Sequence, residues 1–216
     1  MRGTALVTGF EPYGGRDLNP SGELAAALDG ARIGDLAVVG RTLPVVFAGL
    51  AARIEACLAE VRPALVIALG LWPGEPAIRL ERRAVNRAEC SSPDNAGALR
   101  HGEALEPGGA AELAATLPLP AIAAALLRDG IPVRLSESAG TFLCNATLYT
   151  LLHAIARNGA PIPCGFLHLP YLPRQVAAML ADGHDAPPDA GLASMDLVTM
   201  ERAVRIALAI AAGAPA

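Results

Sequence analysis

Aromatic side chains make up only 4% of the 216 residues. The core cannot be organised around stacked rings and must be built from Ala, Leu, Val and Ile, which dominate a 53% hydrophobic composition. Charge is sparse as well: 18% of residues, 17 basic against 21 acidic, a formal net charge of −4 with no block of one sign. That excludes a nucleic-acid surface, which needs clustered cations. Long apolar runs are missing although the mean hydropathy is +0.40. Arg, Asp or Glu interrupts each run before it reaches the roughly 18–20 residues of a membrane span, so no membrane association is expected. Cysteines are few (57, 90, 144 and 164) and widely spaced, with no C-x-x-C pair. Neither a zinc site nor a redox dithiol is suggested, and in a reducing compartment the thiols stay free. No metal or cofactor is expected. Met1-Arg2-Gly3 leads straight into Thr4-Ala5-Leu6-Val7 without the apolar region of a signal peptide, so the expected location is the cytoplasm.

What is present is an alternation. Strand patterns cover Ala5–Thr8, Leu36–Arg41, Ala64–Leu69, Ile78–Val85, Val133–Ser136 and Pro163–His168. Helical patterns cover Pro20–Leu28, Val46–Val61, Pro120–Arg128, Asn145–Arg157 and Met195–Ala211. Leu148, Leu151, Leu152 and Ile155 recur at i, i+3, i+4, i+7 and predict a buried stripe. With no repeat and no linker, the chain reads as one domain over residues 1–216, within the roughly 50–250 residues usual for a domain. The predicted fold is α/β: three layers, α/β/α, around a largely parallel, mixed and twisted sheet. Residues 86–118 are rich in Pro, Gly, Asn and Asp and read as a long excursion, a feature that is usually functional or mobile.

In such sheets chemistry collects at the carboxyl ends of the strands. Three segments meet that criterion: Gly9-Phe10-Glu11-Pro12-Tyr13-Gly14-Gly15, Ser138-Ala139-Gly140-Thr141-Phe142-Leu143-Cys144, and His168-Leu169-Pro170. Cys144 stands between a glycine-containing turn and a helix. The helix start offers unpaired N–H groups and partial positive charge, which favour a thiolate and could hold an oxyanion. A buried core role suits Cys57 and Cys164 better. His168, in the apolar run Phe166-Leu167-His168-Leu169-Pro170, is either a satisfied core histidine or a general base for Cys144. His101, His153 and His184 lack that setting. Alternation places Glu81 on one face with Arg79 and Arg83, where it reads as an exposed ion-pairing carboxylate or as the group that orients His168.

These residues together resemble the pyroglutamyl-peptidase I family, cysteine peptidases also called pyrrolidone-carboxylate peptidases. Four segments carry the resemblance: Val7-Thr8-Gly9-Phe10-Glu11-Pro12-Tyr13-Gly14-Gly15 with Asn19-Pro20-Ser21; Glu81-Arg82 with Ala84, Asn86 and Pro93-Asp94-Asn95; Ala139-Gly140-Thr141-Phe142-Leu143-Cys144-Asn145; and Gly165-Phe166-Leu167-His168-Leu169-Pro170-Tyr171-Leu172-Pro173. The resemblance implies a cofactor-free thiol peptidase that removes an amino-terminal pyroglutamyl residue from small blocked peptides through a thioester. It also implies a homo-oligomer, often a tetramer. By the same resemblance Cys144 is the nucleophile, His168 the base and Glu81 the orienting acid. Phe10, Tyr13, Phe142 and Leu143 enclose the pyrrolidone ring, Leu71 bounds it, and Asn19 is its polar handle.

The chain departs from the family's usual pattern at several places. Gln-Ala-Gly-Gly-Arg after Gly70 becomes Leu71-Trp72-Pro73-Gly74-Glu75, an arginine becomes Ser91, an asparagine becomes Glu137 and a phenylalanine becomes Tyr13. Alternatives to the leading reading are therefore a thiol amidase or peptidase of altered acyl specificity and a non-catalytic binding homologue. A metal hydrolase built on Glu81, Cys144 and His168 is disfavoured by their dispersal.

Overall fold

A computed structural model of the chain describes residues 3–159, 162–183 and 192–213. In chain order it contains β1 (Gly3–Phe10), α1 (Pro20–Leu28), β2 (Arg32–Ile33), β3 (Leu36–Leu43), α2 (Leu50–Val61) and β4 (Leu65–Leu71). Next come β5 (Ile78–Glu81), β6 (Arg83–Val85), β7 (Ala88–Glu89), β8 (His101–Glu103) and β9 (Glu112–Ala114). The remainder is α3 (Leu119–Arg128), β10 (Val133–Ser136), α4 (Leu143–Arg157), β11 (Cys164–Leu169), α5 (Pro173–Ala181) and α6 (Leu197–Ala211).

Seven strands form the main sheet in the order β10-β5-β11-β4-β1-β3-β2. The central strands β3, β1, β4 and β11 run parallel. β5 runs antiparallel to β11, β10 follows β5, and β2 opposes β3. Every residue of β4 and β11 is buried, because helices cover both faces. On one face Leu24 and Leu28 of α1, Ile122 and Leu126 of α3, and Val204 and Leu208 of α6 share a core. On the other, Ile54 and Leu58 of α2 pack with Leu148 and Leu151 of α4. This is the expected three-layer α/β/α arrangement.

One detail of register creates the site. β1 and β4 pair only as far as Thr8 and Ala68. Past that point Phe10 stays with Leu43 of β3, and Leu71 stays with Leu169 of β11. A crevice opens between the carboxyl ends of β1 and β4, where the strand order reverses, the usual place for a ligand in such sheets.

Beyond shifts of one to two residues at element ends and the short added strand β2, the observed elements differ from the predicted ones as follows. The helix predicted from Val46 starts at Leu50, because Gly49 takes a left-handed φ of 74° and the Phe47 N–H is drawn to the Asp94 carboxylate at 2.9 Å. The strand predicted over 78–85 breaks at Arg82: β5 joins the main sheet, and β6 turns away to pair with β9. The last helix begins at Leu197, capped by Asp196, whose Oδ1 accepts from Thr199 N–H. α5 has no counterpart in the sequence reading. Its first helical residue is Pro173 and Gln175 is its buried residue; its apolar pattern, Val176, Met179 and Leu180, is short. The excursion over 86–118 is folded into two small ribbons, β6 with β9 and β7 with β8. Tyr149 Oη donates to Ala110 O, and Asn145 Nδ2 to Val85 O and Arg87 O, so the excursion is tied to α4. His184 lies outside the described residues.

Candidate active site

Register explains which side chains meet. Across β11 and β5, Phe166 faces Glu81 and His168 faces Arg79. Across β10, Ser136 lies beside Glu81. Paired positions point to the same face, so Arg79, Glu81, Ser136, Phe166 and His168 all emerge on the side covered by α4. Glu81 is fully buried and His168 is 1% exposed, which overturns the reading of Glu81 as an exposed ion-pairing carboxylate. Arg83, expected on the same face, instead pairs with Glu112 outside the main sheet. His168 Nδ1 lies 2.8 Å from Glu81 Oε1. A carboxylate that also accepts from Arg79 Nε at 3.0 Å offers no proton, so Nδ1 carries the hydrogen and Nε2 is left as an acceptor.

Cys144 is the second residue of α4. Gly140, with a left-handed φ of 76°, turns the chain into it, and Asn145 anchors it: Oδ1 accepts from Val85 N–H at 2.8 Å. Gly70, the register partner of His168 on β4, makes room for the sulfur. A Cβ at Gly70 would lie 2.7 Å from Cys144 Sγ and 2.7 Å from the Phe166 ring. The missing side chain lets the thiol descend onto the sheet beside the Phe166 ring, at the strand position that pairs with His168.

The electrostatics differ from the sequence expectation of a thiolate. Burial, reinforced by the Glu81 charge, pushes the Cys144 thiol up to about 12, outweighing the helix-start amide that pulls it down. Burial also holds His168 below its ordinary value, against the upward pull of Glu81. For both groups burial thus favours the uncharged form, although Cys144 as a whole residue is only half-buried. The Phe142 side chain makes no capping bond to the first-turn amides of α4.

The crevice between β1 and β4 is a narrow slot of about 20 Å³, far below the roughly 300–1,000 Å³ of drug-sized sites, so its walls must part to admit a ring. Phe10, Tyr13, Asn19, Leu71, Phe142, Leu143 and Cys144 line it, with Val45. Phe142 stacks edge-on against Phe47, with centroids 5.5 Å apart, and tilts toward Tyr13 at 6.2 Å. Asn19 lines the wall, but its polar atoms are largely spoken for. Oδ1 accepts from Ser21 N–H and Oγ, capping α1, and Nδ2 donates to Glu11 O. One Nδ2 hydrogen remains for a ligand. Beyond Tyr13 and Phe142 an outer cleft opens, lined by Arg16, Glu89, Cys90, Ser91 and Thr141 among others. Ser91 belongs to that cleft and not to the inner cavity. Glu75 belongs to neither: it is 5% exposed and bound by both nitrogens of the Arg134 fork at 3.0 and 2.6 Å.

Sequence reasoning missed Gly70, Val45, Trp72 and Arg79. Arg79 stands two residues from Glu81, so period-2 alternation did mark it, but only as a candidate surface ion pair. Trp72 lies over the Arg79 guanidinium at 3.7 Å and meets His168 edge-on at 4.8 Å, and nothing in the sequence signals either contact. Among the described residues, no group of His, Cys, Asp and Glu is arranged to hold a metal ion.

With this geometry in hand, comparisons with known proteins are specific. The profile of the family described as "Pyroglutamyl peptidase" matches residues 4–214. The pyrrolidone-carboxylate peptidase of Pyrococcus furiosus is 42% identical over 203 residues, spanning 94% of this chain and 97% of that one. Its namesake from an Enterobacter species is 41% identical over 95% of this chain and 91% of that one. A solved mutant pyrrolidone carboxyl peptidase from P. furiosus superposes with a TM-score of 0.91 at 40% identity, covering 97% of this chain and 98% of that one. The pyrrolidone carboxyl peptidase of Thermococcus litoralis does so with a TM-score of 0.91 at 36% identity, covering 97% and 93%.

Proposed function

The chain belongs to the pyroglutamyl peptidase family, and from that premise we propose that it is a cysteine omega-peptidase that removes an amino-terminal pyroglutamyl residue from peptides. The observation that carries the reading is the cavity itself: one wall is Cys144, and the rest is a small apolar slot with a single polar handle. A five-membered lactam is small, flat and neutral, and suits such a slot better than any charged or extended acyl group.

In this reading Cys144 is the nucleophile, His168 the general base and Glu81 its orienting partner, and no cofactor takes part. His168 Nε2 accepts the thiol proton as Sγ attacks the pyroglutamyl carbonyl, and the negative oxygen develops toward the first-turn amides of α4. The imidazolium returns that proton to the departing amine as the C–N bond breaks, leaving a thioester on Sγ. Water, deprotonated at Nε2, then attacks the thioester, and pyroglutamate leaves with the thiol restored. Glu81 keeps the proton of the other nitrogen at Nδ1 throughout, so Nε2 is always the working atom. Concerted proton removal fits a thiol and an imidazole whose uncharged forms are both favoured by burial.

The outer cleft, which adjoins the cavity through Tyr13 and Phe142, suits the leaving peptide. The whole chain, residues 1–216, acts as one peptidase domain. By family resemblance it works in the cytoplasm as a homo-oligomer, a tetramer in the leading form, and sedimentation velocity would read that state. No helix among the described residues is long and apolar enough to cross a membrane. The test of activity is turnover of a pyroglutamyl-coumarin amide beside prolyl, alanyl and glutamyl analogues. Preference for the pyroglutamyl substrate by at least about tenfold is expected, since a lost ring contact costs on that order. Equal turnover of the analogues would sink the specificity, and none on any of them would sink the enzyme.

A further inference from the structure

Behind the His168–Glu81 pair stands a second set of charges that the reaction as written does not use. Arg79 is 7% exposed and has every face of its guanidinium engaged. Nε donates to Glu81 Oε1 at 3.0 Å. Nη2 donates to Ser136 Oγ at 2.6 Å and to Ser138 O at 2.7 Å. Nη1 lies 3.7 Å from Glu75 Oε2, and the Trp72 ring covers the plane at 3.7 Å. Glu75 is in turn clamped by Arg134. Charges alternate from Arg134 through Glu75, Arg79 and Glu81 to the imidazole. Glu81 Oε1 takes both of the carboxylate's bonds, and Oε2 is buried without a partner. A buried carboxylate survives in its charged form only when paired. The permanent charge that balances Glu81 is that of Arg79, bound to it at 3.0 Å.

We propose that Arg79, locked by Ser136, Ser138, Glu75 and Trp72, is a positioning residue of this enzyme: it holds the Glu81 carboxylate ionised and aimed at His168 Nδ1. This rests on the catalytic reading given above. The chain's departure from the family pattern at position 75 then has a structural account, since Glu75 does not leave the site short of a cation but anchors Arg79 from behind. Ser138 lies in the turn that leads to Cys144, so the same guanidinium ties the base's support to the nucleophile's loop. The charged groups that act on His168 are Arg79 and Glu81 from β5 and Glu75 from the segment after β4; β4 contributes Gly70 at the paired position, which is uncharged. Arg79 opposes protonation of the imidazole, and Glu81 and Glu75 favour it.

The test is Arg79→Gln, with Arg79→Lys and the charge-balanced double variant Glu75→Gln/Arg79→Gln as companions in case the single change does not fold. Trp72 is the chain's one tryptophan, so its fluorescence shows whether each variant retains the packed site. The expected result for Arg79→Gln is a fall in kcat of about 10- to 100-fold, as for a loosened reacting geometry, with KM within about twofold. The acid limb of the pH–rate profile should move to higher pH, because a neighbouring cation has gone. Lys should restore the limb but only part of kcat, having charge without the planar fork. A limb that stays in place or moves down, or a loss confined to melting temperature, overturns the proposal. The titration of the His168 ring nitrogens by NMR gives the same answer without turnover. Upward displacement there in an enzyme silent on pyroglutamyl substrates would leave the positioning role standing and remove only the functional reading.

Discussion

His168 separates two unlike half-sites. On the side of β1 and β4 lies an apolar cavity whose walls are Phe10, Leu71, Phe142 and Leu143, with one spare amide hydrogen on Asn19. On the side of β5 and β10 lies an alternating line of charges, every one tied to a neighbour. The first half can recognise a small neutral ring but cannot move a proton. The second can hold a proton in place but offers no space for a ligand. The difference teaches that recognition and proton handling are built from separate strands that share one imidazole. Mutations in the two halves should therefore damage different kinetic constants.

The largest effect expected is at the junction itself. Cys144→Ala should lower turnover by at least about 10⁴-fold, since a lost nucleophile is not replaced by its neighbours. Near-wild-type release of coumarin by that variant would end the thiol mechanism. The comparison between the halves is sharpened by Glu81→Gln against Phe142→Ala. Glu81→Gln should cut kcat by about 10²- to 10⁴-fold, because the amide can no longer fix the Nδ1 tautomer. It should also destabilise the protein by up to about 3–5 kcal/mol, since the buried Arg79 loses the nearer of its two carboxylate partners and keeps only Glu75 at 3.7 Å. Phe142→Ala should act mainly through KM, with a loss in kcat/KM of about 10- to 200-fold for a truncated apolar wall. If both variants lowered kcat and KM in the same proportion, the division into two halves would be wrong.

A smaller effect is expected in the pH dependence. With the Cys144 thiol pushed up to about 12, alkylation by iodoacetamide should keep rising from neutral pH to beyond pH 9. A plateau near neutrality would instead report a preformed thiolate. Turnover needs neutral His168, and since burial lowers that group, activity should extend into mildly acidic solution before it falls. The smallest effect belongs to the departures from the family pattern. Leu71→Gln with Ser91→Arg should raise kcat/KM on pyroglutamyl substrates by about 2- to 10-fold, the worth of a single hydrogen bond. Trp72 N–H is already bound to Leu169 O at 2.9 Å and Pro73 has no N–H, so a side-chain donor at position 71 is the direct way to add one. No gain would mean that the ring is held by backbone groups already present.

Most of the sheet was legible in the sequence because its central strands are continuous apolar runs, and the parallel alternation of strand and helix follows from them. The break at Arg82 was not legible. Both halves of Ile78–Val85 look like strand, and only the partner strands β11 and β9, distant in sequence, decide that one half turns away. α5 escaped because its apolar stripe is short: Val176, Met179 and Leu180 fill little more than one turn of a nine-residue helix. In the site, the turn before Cys144 and the buried run around His168 carried their own local signals. Glu81 did not: an acid between arginines on a strand looks the same whether it faces solvent or core.

The sequence by itself determined the layered α/β plan, the turn that leads into the helix carrying Cys144, and the apolar residues available to wall a small cavity. Those features depend on composition, periodicity and turn chemistry within a few residues. Tertiary structure alone decided that burial works against a thiolate at Cys144, that Asn19 is occupied in capping α1, and that Arg79 and Trp72 close around the Glu81–His168 pair. Each of these depends on burial and on partners far away in the chain, and both the cost of a buried charge and the group that offsets it exist only once the sheet has brought them together.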